Sequence, residues 1–173
     1  MKNNFFLLAV FLTALIFNPE RVNAQPHNKN NEEVIFSFTT PEGKNIHIAK
    51  DSANKYMVFR MYTYLKPDLQ FPEILDKGSF RNFTFSSNIE NPSIDSAKED
   101  LNLLFFSTGG NEYTVYQLKK ADGIVDFGLE VKNLTSGMSQ RFKGKLKTKK
   151  GNLSYFRTNP DVTRGERILD LRE

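Results

Sequence analysis

Apolar residues recur at every second position through most of this chain, in short runs rich in Phe, Tyr, Val and Ile with turn residues between them. That period marks half-buried strands, because successive side chains leave a strand on opposite faces. Segment 33–39 ends at Pro41, Glu42 and Gly43, and segment 45–50 ends at Asp51, Ser52, Ala53 and Asn54, so the two are predicted to pair as a hairpin. Segment 55–64 is the longest strand candidate. It sets Met57, Phe59 and Met61 on one face and Tyr56, Val58, Arg60, Tyr62 and Tyr64 on the other. A turn at Lys66, Pro67 and Asp68 precedes a short strand over 69–72, and 79–87 reads as a strand with Phe83 and Phe85 on a shared face. The polar stretch 88–100 is predicted to be the longest loop.

Segment 101–107 is apolar on both faces, which predicts a central strand, and 112–118 is its antiparallel neighbour. Thr108, Gly109, Gly110 and Asn111 between them supply the positive φ angles of a tight hairpin turn. An anion-binding nest at the two glycines is the alternative, but a phosphate loop needs a helix behind it, and no helical period follows Asn111. In segment 123–131, Val125, Phe127, Leu129 and Val131 face one way. In 139–150, Arg141, Lys143, Lys145, Lys147 and Lys149 take alternate positions with Lys150 adjoining, so a row of cations is expected along one side over roughly 27 Å. Pairing Lys132 with Ser139 sets Glu130 beside Arg141, Asp126 beside Lys145 and Leu129 beside Phe142.

These elements predict an all-β fold, an antiparallel β-sandwich or a flattened barrel of about eight strands. Near the end of the chain, Thr163 and Glu166 have the spacing of a capping box that would open a short C-terminal helix, while 168–171 also reads as a strand.

Composition adds where the chain goes. Lys2, the apolar run 5–17 and the small-residue processing site at Val22, Asn23 and Ala24 are the parts of a secretory leader over 1–24. The expected organisation is that leader, a loose tail over 25–32 and one β domain over 33–173, in the periplasm or secreted. The run 5–17 is too short to cross a bilayer and no longer one follows, so no membrane span is expected. The chain has no cysteine, so its stability must come from a packed core.

Candidate chemistry is sparse. With two histidines, His27 and His47, and no cysteine, zinc sites of the N/S type and Cys/His or Ser/His/Asp arrangements have little to draw on. His47 alternates with Ile46 and Ile48 and is predicted to point outward. Asp126 and Glu130 share a strand face about 13 Å apart, beyond the roughly 5–9.5 Å that glycosidase carboxylates need. Glu99 and Asp100 read as a solvated pair. The chain is therefore expected to be no enzyme and to carry no cofactor or metal.

Charge points elsewhere. The formal net charge is +4, and the cations of 141–150 outnumber the acids that face them. They read either as guards against edge-to-edge aggregation or as a stripe for an acidic protein cleft, an anionic glycan or a lipid headgroup. Nucleic acid is not expected, because no exposed aromatics interleave the basic positions. Arg60, Tyr62 and Tyr64 share a strand face, which is either an aromatic binding face or the second buried side of a strand.

The order of 55–60, 69–72, 100–105, Gly109, Gly110, 113–116, 128–131 and 151–153 resembles a family of small exported bacterial proteins of unknown function. More distantly, the basic strand and the Gly-containing turn are similar in type to periplasmic lysozyme inhibitors. The resemblance implies an exported all-β protein. The expected function is non-catalytic binding, with inhibition of, or immunity against, a cell-wall-active enzyme as its use. The lysines and the loops 88–100 and 133–138 would make the contacts. An anionic glycan or lipid-headgroup module and a β-barrel carrier of a small ligand are the alternatives.

Overall fold

The structure, a computed structural model, describes residues 31–88, 99–167 and 169. The leader over 1–24, the tail residues 25–30 and loop residues 89–98 lie outside the described residues, as do Ile168 and residues 170–173. The strands are β1 (Glu32–Thr39), β2 (Asn45–Asp51), β3 (Met57–Tyr62), β4 (Pro67–Phe71), β5 (Thr84–Ser87), β6 (Asp100–Thr108), β7 (Asn111–Lys119), β8 (Val125–Asn133), β9 (Ser139–Lys143), β10 (Lys150–Gly151) and β11 (Thr163–Arg164). One sheet has the order β10-β1-β2-β3-β4 and the other β11-β5-β6-β7-β8-β9. Each sheet keeps its own two edges, so the fold is a two-sheet sandwich and the barrel alternative falls away.

The hairpins follow the turn chemistry of the sequence. Gly109 and Gly110 have φ of 56° and 75°, and Thr108 pairs with Asn111 to close a two-residue turn. Left-handed backbone at both positions suits the twist of the flanking strands and strains any residue with a Cβ. The strand β6 sits between β5 and β7, in accord with its two apolar faces.

Phenylalanines join the sheets. Phe106 of β6 stacks on Phe71 at 4.3 Å and meets Phe59, Tyr113 and Phe83 at 4.9, 5.2 and 5.3 Å between ring centroids. Phe36, Phe38 and Phe127 form a second edge-on group at the β1–β8 side. These rings occupy the interior between the sheets.

Several segments differ from the expectation. Residues 77–82 form a 3-10 helix in place of the first half of a strand, because the Asp76 side chain accepts from Gly78 N at 2.8 Å and Ser79 Oγ accepts from Asp76 N at 2.9 Å. Pro67 and Asp68 belong to β4, so the turn before it is Thr63 to Lys66. Glu32 and Asn31 are not loose: β1 begins at Glu32, and Asn31 Nδ2 donates to Asp51 at 2.6 Å. Thr163 caps no helix. It lies in β11, parallel to β5, and its hydroxyl donates to Arg81 O at 3.2 Å.

Candidate binding surface

The β8–β9 ladder has the predicted register, with Glu130 opposite Arg141 and Leu129 opposite Phe142. Arg141 Nη2 meets Glu130 at 3.0 Å, which neutralises both groups. The alternation then stops. The ladder ends at Gly128 opposite Lys143; Gly144 N still donates to Phe127 O, but Lys145 N donates to Thr39 O on the other sheet. Lys145 therefore does not pair with Asp126, and the single row of cations over 141–149 does not form.

Two glycines fix that crossing. A Cβ on Gly144 would lie 2.1 Å from the Phe127 ring and 2.9 Å from Phe38, so only a bare backbone passes over the core edge here. Gly151 has φ of 72° and would bring a Cβ to 1.9 Å from Ile35 O. Between them a 3-10 helix, Leu146–Thr148, is pinned to β1, where Thr39 N donates to Thr148 Oγ1 at 2.9 Å.

The crossing leaves four lysines of this segment open: Lys143, Lys145, Lys147 and Lys150 are exposed, and none has an ion-pair partner among the described residues. Leu146, which lies between them in the chain, is 68% exposed. Lys149 has turned away: its ammonium lies 5.6 Å from the Phe36 ring centre and donates to Gly151 O, and burial holds its pKa below the usual lysine value. Exposed Glu42 nearby has its carboxyl held low, first by a Thr40 hydrogen bond and its own backbone amide, with Lys145 and Lys44 adding to the effect. Sequence reasoning located these lysines but missed Leu146, since a lone leucine between lysines carries no signal of exposure while the strand is assumed to continue.

The second candidate face does not form a binding surface. Arg60 is 3% exposed and Tyr62 4%. Arg60 donates to both Glu32 oxygens at 2.7 and 2.9 Å and to Gln70 Oε1 at 2.9 Å, and Tyr56 Oη donates to Glu32 at 2.9 Å. Burial works against the Arg60 charge, but the hydrogen bonds and charge of Glu32 more than offset it and raise its pKa. Tyr62 is raised chiefly by burial. Tyr64 alone is open, 84% exposed beyond the end of β3. Arg60 and Tyr56 thus tie down the start of β1, and with Tyr62 closed off as well Tyr64 is left without a companion.

His47, expected outward, is 1% exposed, because the face of β2 it occupies is buried as well. Opposite Arg60 in register, it has neither ring nitrogen hydrogen-bonded among the described residues. Burial, with Arg60 and Lys150 adding to it and Glu32 opposing, lowers its pKa from 6.5 to about 4. Between those values the unfolded chain takes up a proton that the folded one refuses, so stability falls as pH drops from 6.5 towards 4, by up to about 3 kcal/mol. Urea unfolding across that range should show the loss. A His47→Gln variant should lack this share, and an equal pH slope in the two proteins would assign it elsewhere.

Comparison with family models, curated proteins and solved structures finds no match to this chain.

Proposed function

We propose that this protein is a non-catalytic binding protein that docks on an acidic surface of another protein through the lysine patch. The observation that carries the reading is the exposure of Lys143, Lys145, Lys147 and Lys150 together with Leu146, with no acid among the described residues paired to the lysines. A fixed cationic field speeds encounter with an acidic partner, and the exposed leucine supplies apolar contact once water leaves. Four of the strand carboxylates are already taken up in ion pairs. Glu32, Asp100, Glu112 and Glu130 are each engaged by an arginine, Arg60, Arg157, Arg167 and Arg141 in turn. With the leader expected from the sequence, the partner class is an envelope enzyme acting on the cell wall, which the protein would inhibit or confer immunity against.

The test compares the wild type with a variant carrying Ala at 143, 145, 147 and 150. A panel of purified cell-wall hydrolases is assayed for binding and for turnover. The expected result is a hydrolase bound and slowed by the wild type, with affinity that falls as salt rises and drops by about one to two orders of magnitude in the variant. Equal affinity in the two proteins would remove the patch from the interface. Retention of an acidic polysaccharide instead of any hydrolase would turn the reading to a glycan-binding module.

A further inference from the structure

Among the described residues, strand β9 is the outermost strand of its sheet, with β8 on one side and no strand on the other. The phase of its backbone is fixed by two bonds: Gly144 N donates to Phe127 O at 2.8 Å, and Asn133 N donates to Met138 O at 2.9 Å. Antiparallel strands exchange bonds at alternate residue pairs. The same phase makes Phe142 and Gln140 the residues of β9 that bond to β8, opposite Leu129 and Val131. The N–H and C=O of Ser139, Arg141 and Lys143 therefore point away from the sheet.

The same residues project their side chains on the outer face, where Arg141 meets Glu130. A strand laid antiparallel along this edge would form its hydrogen-bonded pairs with Arg141 and Lys143, and the side chains at those pairs would lie beside the two cations. Directly opposed like charges destabilise a ladder, and opposed unlike charges stabilise it. A second copy of β9 in the centred register would bring Arg141 against itself, which disfavours that self-pairing. An acidic strand meets no such repulsion.

We infer that the open edge of β9 accepts an extended segment of the partner by strand addition, and that this segment carries Asp or Glu opposite Lys143, the exposed cation of the edge, while Arg141 stays with Glu130. This rests on the docking reading above and names its mode. Main-chain bonds would supply affinity, and the acid opposite Lys143 would set register and specificity. Lys145 and Lys147, just past the end of β9, would meet acids beyond the paired segment.

The test uses a labelled nine-residue peptide of alternating Glu and Thr, with fluorescence anisotropy for affinity and amide hydrogen exchange followed by NMR. On binding, exchange should slow at Arg141 and Lys143, while Gln140 and Phe142, already bonded to β8, change little. Lys143→Ala should weaken binding through its charge alone. Lys143→Pro also removes an outward N–H, which an edge strand tolerates, and should lose about a further fivefold. A peptide N-methylated at the positions facing β9 removes main-chain bonds without altering the protein or its charge, and should bind more weakly than the unmethylated peptide. Salt-sensitive binding with unprotected amides at 141 and 143, and with equal affinity for the methylated peptide, would overturn strand addition while leaving the docking reading intact. No salt-sensitive binding of any acidic peptide would overturn both.

Discussion

Replacing Phe106 by Ala is expected to lower the unfolding free energy by about 3–5 kcal/mol, measured by urea denaturation at neutral pH. The ring is the one place where four aromatic side chains from both sheets converge: Phe71 and Phe59 from one, Phe83 and Tyr113 from around it on the other side. Truncation removes the transfer free energy of a buried ring and leaves a void bounded by stiff planar groups. Such groups collapse poorly, because each is already locked edge-on or face-on against a neighbour. A domain of this size has only about 5–15 kcal/mol in total, so the variant should stand near the limit of folding at ambient temperature. Phe106→Leu keeps most of the volume and should cost clearly less. Equal losses for Leu and Ala would mean that ring geometry, and not filled volume, holds the sheets together.

Glu32→Ala should cost a comparable amount, about 3–5 kcal/mol, for a different reason. Its carboxylate accepts two hydrogen bonds from Arg60 and one from Tyr56, and the ion pair is nearly closed to solvent, with side-chain exposures of 3% for Arg60 and 0% for Glu32. Removing the acid strands a guanidinium that has no second carboxylate to turn to in the network described, beside a histidine that cannot accept a further charge. The penalty is the uncompensated buried cation, so it should shrink when the cation goes too. A Glu32→Ala, Arg60→Met double variant is expected to be more stable than Glu32→Ala alone. Denaturation of the two singles and the double gives the coupling, and a double variant no better than the single would locate the loss in β1 packing instead.

Much of this architecture is written in local pattern. The two glycines at 109 and 110 dictate a hairpin, since left-handed backbone at consecutive positions admits little else. The pairing of Glu130 with Arg141 and of Leu129 with Phe142 follows from matching charge and apolar faces across a short loop. The central place of β6 follows from its lack of a polar face. Other readings failed for one recurring reason. Alternation tells which side chains share a face but not what lies against that face. His47 and Arg60 sit on faces that a half-buried strand would offer to water, yet here both are closed off, and Arg60 becomes an anchor instead of a contact.

The lysine patch shows the same division in sharper form. Regular spacing from Arg141 to Lys149 predicts one continuous strand, and the sequence has no means of marking that Gly144 leaves one sheet for the other. That departure depends on the Phe127 and Phe38 rings, residues distant along the chain, occupying the place a side chain would need. By itself the sequence determined a cysteine-free all-β chain with its hairpins, its β8–β9 register and its excess of cations near residues 141 to 150. Only the tertiary structure decided that the sheets stay open as a sandwich, that Arg60 and Tyr62 are interior, and that Lys143, Lys145, Lys147 and Lys150 stand exposed together with Leu146. The physical reason is range: turn preference and alternation act between neighbours a few residues apart, whereas exposure and strand crossing depend on what the rest of the chain brings into contact.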